Sequence, residues 1–91
     1  MRKLALWPDV VRFLSKIERK HAGQIALRIF GLLHDPTAGD VARLRGSDGL
    51  YRADVGEYRV VFRFTAEEVE VPLVGKRNDD EVYKELRRLG L

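Results

Sequence analysis

Cysteine is absent from this chain of 91 residues. Disulfide staples and cysteine-based metal sites are therefore excluded. Histidine is scarce as well. The two present, His21 and His34, stand far apart without ligand spacing, so no metal site is expected. No apolar run is long enough to span a bilayer. The start, Met1-Arg2-Lys3-Leu4, has too short an apolar stretch for a signal peptide, which makes the cytoplasm the expected compartment and leaves no membrane partner. A glycine-rich phosphate loop is missing, and Ser15 and Ser47 sit in no nucleophile motif. Internal repeats, linkers and low-complexity segments are missing too. No cofactor is expected.

What is present fits one small domain, residues 1–91. An apolar share of 45% supports a core of modest size. The formal net charge is +3 and the pI near 9.5, compatible with a polyanionic partner. The acids gather at Glu67-Glu68, Glu70 and Asp79-Asp80-Glu81, which leaves the first half more basic. A solvated surface is the more ordinary account of any one such cluster.

The organising stretch runs from Leu50 to Tyr83. Apolar and polar residues alternate through it, the signature of half-buried strands. With Gly56-Glu57 as a two-residue II′ loop, Val55 faces Tyr58, Ala53 faces Val60 and Tyr51 faces Phe62. The other face then carries Arg52, Asp54, Arg59 and Arg63, with Asp54 opposite Arg59. A slip of one residue would mix the two sets, so the pattern fixes the register. With Ala66-Glu67 as the second loop, Phe64 faces Val69, Phe62 faces Val71, Val60 faces Leu73, and Arg63 falls opposite Glu70. Pro72 lacks a ladder donor, which places this third hairpin strand at the sheet edge.

Ahead of the hairpins, Lys3 to Trp7 reads as a first strand. Pro8 suits the first helical position, and Val10, Phe13, Leu14 and Ile17 recur at helical spacing. The run Glu18-Arg19-Lys20-His21 reads as a break. A second helix follows to His34, with Ile25, Ile29, Leu32 and Leu33 inward, stopped by Asp35-Pro36. One continuous helix from Pro8 to His34 is the alternative. Val41 to Gly46 leads to the first hairpin, and Ser47-Asp48-Gly49 is a turn. Asn78 or Asp79 caps a last helix to about Leu89, with Gly90 after it. The fold class is α+β: an antiparallel sheet of an N-terminal strand plus a three-strand meander, a helical hairpin on one face, and a short C-terminal helix.

Arg59, Arg77 and Tyr83, with Arg52 and Lys76 beside them, are the candidates for chemistry. RNA cleavage by the adjacent 2′-OH needs a base, cations on the phosphorane and a proton for the leaving 5′ oxygen. Guanidinium groups fork onto phosphate oxygens, and a phenol among arginines is a candidate base. Arg43, Arg45, Arg63 and Lys76 are candidate RNA contacts. A structural reading of the same residues stays open. Arg59 can pair with Asp54 and Arg63 with Glu70, each exposed pair contributing about 0.2–1 kcal/mol, while Tyr83 packs as an ordinary helix residue.

Taken together, Leu44-Arg45-Gly46, Tyr51-Arg52, Gly56-Glu57-Tyr58-Arg59-Val60-Val61-Phe62, Val74-Gly75-Lys76-Arg77 and Val82-Tyr83 resemble the RelE/ParE toxin superfamily. The resemblance covers nearly the whole chain. It implies a microbial-ribonuclease-like α+β fold and a toxin paired with a cognate antitoxin. In its RelE-like branch it implies metal-independent mRNA cleavage in the ribosomal A site, leaving a 2′,3′-cyclic phosphate. Arg59, Arg77, Tyr83 and Arg52 match the family's functional positions. Asp54 stands where RelE carries a second lysine. ParE-like relatives share the fold, generally lack the nuclease residues and poison DNA gyrase; that alternative, and an inactive antitoxin-binding relative, stay open.

Overall fold

A computed structural model describes residues 1–91, with the side chain of Asp79 outside the description. Strand β1 (Lys3–Leu6) leads into helix α1 (Pro8–Lys16) and helix α2 (Arg19–His34). Strands β2 (Ala42–Arg43), β3 (Tyr51–Val55), β4 (Tyr58–Phe64) and β5 (Glu68–Lys76) follow, and helix α3 (Asp79–Arg88) closes the chain. Pro8 opens α1 as its composition requires, and Trp7 supplies no side-chain cap. The two helices are separate. The break falls on extended Ile17 and on Glu18, so Arg19, Lys20 and His21 belong to α2 rather than to the linker.

The first hairpin has the expected register, Val55 with Tyr58, Asp54 with Arg59, Ala53 with Val60 and Tyr51 with Phe62. Gly56 has φ 57° and no non-glycine residue has positive φ, the combination a II′ loop needs. The second hairpin begins as expected, with Phe64 opposite Val69 and Arg63 opposite Glu70. The Thr65 hydroxyl accepts from the backbone N–H groups of Glu67 and Glu68, both at 3.1 Å, and so seals this loop.

Beyond that point the expected register fails. Val60 faces Val74, and Leu73 faces Val61. One extra residue lies on β5, in the segment Val71-Pro72 between the two registers. This is a β-bulge, and it is the place where a residue without an N–H costs the ladder least. Pro72 therefore marks a bulge, not a sheet edge. The strand order is β1-β5-β4-β3-β2, so β5 is an interior strand. Its outer neighbour β1 runs parallel to it, Lys3 to Leu6 beside Glu68 to Val71, so the sheet is mixed rather than wholly antiparallel. The chain leaves the sheet after the Trp7 N–H bonds the Val71 carbonyl at 3.1 Å, and Pro72 lies just past that last bond. The short strand β2, within the stretch leading to the first hairpin, is a fifth member of the sheet.

The bulge sorts the residues of β5 between two cores. Val69, Val71 and Val74 join Phe62, Val60, Ala53 and the inward residues Val10, Ile25, Ile29, Leu32 and Leu33 of α1 and α2. Leu73 goes to the opposite face. There it meets Val61, Leu44 and Leu50 beneath Val82 and Leu86 of α3. The arginine-bearing face thus has an apolar centre, and α3 sits on it. Among the described residues no helix is long and apolar enough to cross a membrane.

Candidate functional site

Strand alternation puts Arg52 and Asp54 on the α3 side of β3, and cross-strand pairing brings Arg59 opposite Asp54. The bulge then decides which residue of the Gly75-Lys76-Arg77 run joins them. Gly75 pairs with Arg59, so Arg77, two residues on, shares that face and Lys76 takes the other. Without the extra residue, Lys76 would stand on the arginine face. The Arg77 backbone N–H also bonds the Glu57 carbonyl at 2.9 Å, and its Nη1 donates to the Gly56 carbonyl at 3.3 Å, lacing the end of β5 to the first hairpin loop.

The result is one carboxylate holding three guanidiniums. Arg59 Nε donates to Asp54 Oδ1 at 2.9 Å. Arg52 Nη1 donates to Asp54 Oδ2 at 3.1 Å, and Arg77 Nε lies 3.3 Å from the same oxygen. Arg59 is only 9% exposed, the one charged residue buried among the described residues. Burial works to raise the Asp54 pKa, but the Arg59 hydrogen bond and the charges of Arg59, Arg77 and Arg52 outweigh it and hold the carboxyl below its ordinary value.

Helix α3 delivers the phenol. Asn78 caps it by accepting from the Glu81 N–H at 3.2 Å. Val82 and Leu86, one turn apart, bury themselves on the lower core, and Tyr83 packs at its margin. Loop residues 44–50 close the other side. Leu44 and Leu50 are buried, and the Leu44 N–H bonds the Leu50 carbonyl at 2.9 Å. Arg43 and Arg45 flank Leu44. A cavity of about 440 Å³ results, lined by Arg43, Leu44, Arg45, Arg52, Arg59, Asp80 and Tyr83.

Five sequence-predicted residues thus share one cavity: Arg43, Arg45, Arg52, Arg59 and Tyr83. Arg77 joins them through Asp54 and does not line the cavity itself. Arg63 is bound by its Nε to Glu70 Oε1, as the cross-strand pairing implies, and lines an adjacent hollow that also contains Tyr83. Lys76 is elsewhere, in a groove with Asp9, Arg12 and Lys16 of α1 and Glu85 and Arg88 of α3. Asp80 in the cavity and Asp54 as a hub for three arginines were not foreseen. The spacing of Arg52 and Asp54, two apart on one strand, was the available signal for the second. Among the described residues no three histidine, aspartate or glutamate side chains gather as a metal site would need.

Acid stability follows from these carboxylates. Glu70 also titrates below its ordinary value, first because Arg63 donates to it and second because Trp7 Nε1 does, at 2.8 Å. Both folded-state pKa values lie below those of the unfolded chain. Their stabilisation is complete above the ordinary carboxylate range and is lost as pH falls through the folded values. Urea midpoints are expected to decline between about pH 5 and pH 2. The decline should be shallower in Asp54→Asn, and an equal slope in both proteins would contradict the role given to Asp54.

No family model matches this sequence, and no curated protein matches it either. Solved structures do. A double arginine-to-alanine variant of the E. coli toxin RelE in the free state superposes with a TM-score of 0.79 at 23% identity, over 99% of this chain and 98% of that one. The RelE of an archaeal RelE–RelB complex from Pyrococcus horikoshii gives 0.71 at 23% identity, over 85% and 96%. The toxin–antitoxin complex RelBE2 of Mycobacterium tuberculosis gives 0.73 at 21% identity, over 84% and 98%. The strand order, the helix pair on one face and the terminal helix on the other therefore make this chain a bearer of the RelE toxin fold.

Proposed function

We propose that this chain is the toxin of a type II toxin–antitoxin pair and a ribosome-dependent mRNA endonuclease. The observation that carries the reading is the shared cavity of Arg52, Arg59 and Tyr83, rimmed by Arg43 and Arg45, on a RelE fold. In the reaction the 2′ oxygen bonds to the adjacent phosphorus and the bond from phosphorus to the 5′ oxygen breaks. A 2′,3′-cyclic phosphate and a free 5′-OH result, the leaving 5′ oxygen taking its proton from solvent water as the 2′ oxygen gives one up. Tyr83 acts on the 2′ proton as base or orienting group. Arg59 and Arg77 bind the phosphate and stabilise the charge that builds on its oxygens, and Arg52 assists. Arg43 and Arg45 hold flanking phosphates.

The partner is a cognate antitoxin, as in the solved RelE–RelB complexes, and the compartment is the cytoplasm. An acidic, disordered segment folding over these arginines suits their charge. The test is expression of the chain followed by growth measurement and mapping of mRNA ends on translating ribosomes. Growth arrest with A-site cuts is expected, and Tyr83→Phe should slow cleavage about 10²-fold or more, as loss of a proton-transfer group does. Intact mRNA with trapped, broken DNA would make the target gyrase instead. Full-rate cleavage by Tyr83→Phe would remove the phenol from the chemistry.

A further inference from the structure

We propose that Asp54 is a positioning residue, the anchor that aims the guanidiniums of Arg52, Arg59 and Arg77 at the phosphate. The inference rests on the nuclease reading and adds a residue that neither its chemistry nor the family pattern supplies. Where RelE has a lysine this chain has a carboxylate, and two roles are open to such a group. It can occupy the phosphate site and obstruct it, or it can stand behind the site and order it.

Geometry favours the second role. Asp54 is 13% exposed and forms no part of the cavity lining, whereas Arg52 and Arg59 do. Two of its contacts are at Nε atoms, a hydrogen bond from Arg59 and an ion pair with Arg77 at 3.3 Å. Nε sits on the shaft side of a guanidinium, so a carboxylate bound there fixes the plane of the group and the direction of its fork. Arg77 is pinned twice, by Asp54 at Nε and by the Gly56 carbonyl at Nη1. In the cavity lining Arg43, Arg45, Arg52 and Arg59 outnumber the carboxylate of Asp80, so an anion is still attracted. Arginine side chains are costly to order, and one partly buried acid shared among three arginines orders them before RNA arrives.

The experiment compares the intact chain with Asp54→Asn and Asp54→Glu on mRNA-programmed ribosomes, separating kcat from KM. Ribosome affinity comes from many dispersed cations, so KM should stay within about twofold. Cleavage depends on aim, and kcat should fall about 10- to 100-fold in Asp54→Asn, the scale of a misplaced reacting group. Asp54→Glu keeps the charge on a longer arm and should recover part of that loss. A second readout is independent of activity. In ¹H–¹⁵N spectra the Nε–H signal of Arg59 should be dispersed and slow to exchange in the parent chain. It should shift and exchange faster in Asp54→Asn and recover in Asp54→Glu. An Asp54→Asn or Asp54→Glu protein that cleaves as fast as the parent, or faster, would overturn the positioning role and leave the nuclease reading intact. Should Asp54→Asn not fold, the Glu variant decides alone. A parent chain that cuts no mRNA would bring down both.

Discussion

Arg59→Ala is expected to reduce mRNA cleavage by about 10²- to 10³-fold, the usual cost of removing one preorganised donor from a developing oxyanion. Arg59 has the position for that role. It lines the cavity with Tyr83, is almost buried, and is held by Asp54 at 2.9 Å. A cation in so dry a place interacts with a phosphate far more strongly than an exposed lysine can. Arg59→Lys should recover little, because an ammonium keeps the charge and loses the planar fork. Arg77→Ala gives the contrast. Arg77 also acts on the phosphate, but it is half exposed and outside the cavity lining, where solvent screens its charge, so its loss should cost only roughly tenfold. Single-turnover cleavage on programmed ribosomes measures both. Arg59→Ala also removes a buried partner of Asp54, and a stability loss of about 1–3 kcal/mol is expected; rates are therefore compared well below the melting point. Arg59→Ala cutting within threefold of the parent would move the phosphate role to another residue.

Much of this arrangement was readable from residue order, and most of what was not around the site traces to one segment. Alternation with period two and short loops set the β3–β4 register, so Asp54 opposite Arg59 needed no coordinates. The helix pair was legible from proline and the 3.6-residue stripes, but one continuous helix fitted the same residues, and the break lies at Ile17 and Glu18 rather than across Arg19-Lys20-His21. The errors collect at Val71-Pro72. Proline in a strand has two solutions, an edge or a bulge, and sequence alone does not choose between them. The choice depends on whether another strand needs that N–H, and β1, which runs alongside β5 from the far end of the chain, ends just before Pro72. From that one residue follow the interior place of β5, the transfer of Leu73 to the lower core, and the exchange of Lys76 for Arg77 at Asp54. Tyr83 was a legible candidate from the resemblance. Its arrival beside Arg59 depends on the apolar seat that α3 finds at Val61 and Leu73, and only the bulged register exposes that seat.

That seat supports the last expected result. A helix of ten residues does not hold its shape alone in water, so α3 exists because Val82 and Leu86 are buried on the sheet. Leu86 is 3% exposed. Leu86→Ala should cost about 2–5 kcal/mol of docking, the range for a buried leucine cut back to alanine. The ion pair from Arg88 to Asp9 of α1, at 2.8 Å, is exposed and contributes too little to keep the helix in place. The main core around Phe62 and Val60 lies on the other face of the sheet and keeps all its contacts. Hydrogen exchange should therefore show α3 amides losing protection while those of β3, β4 and β5 retain theirs, a local opening. Cleavage should fall in step, since Tyr83 rides on α3 and leaves the arginines with it. Leu89→Ala, at a partly buried position of the same cluster, should show the same pattern with a smaller loss. Equal loss of protection in α3 and in all three strands would mean that the two cores melt as one unit, and the phenol could then be displaced from its arginines only by unfolding the sheet that carries them.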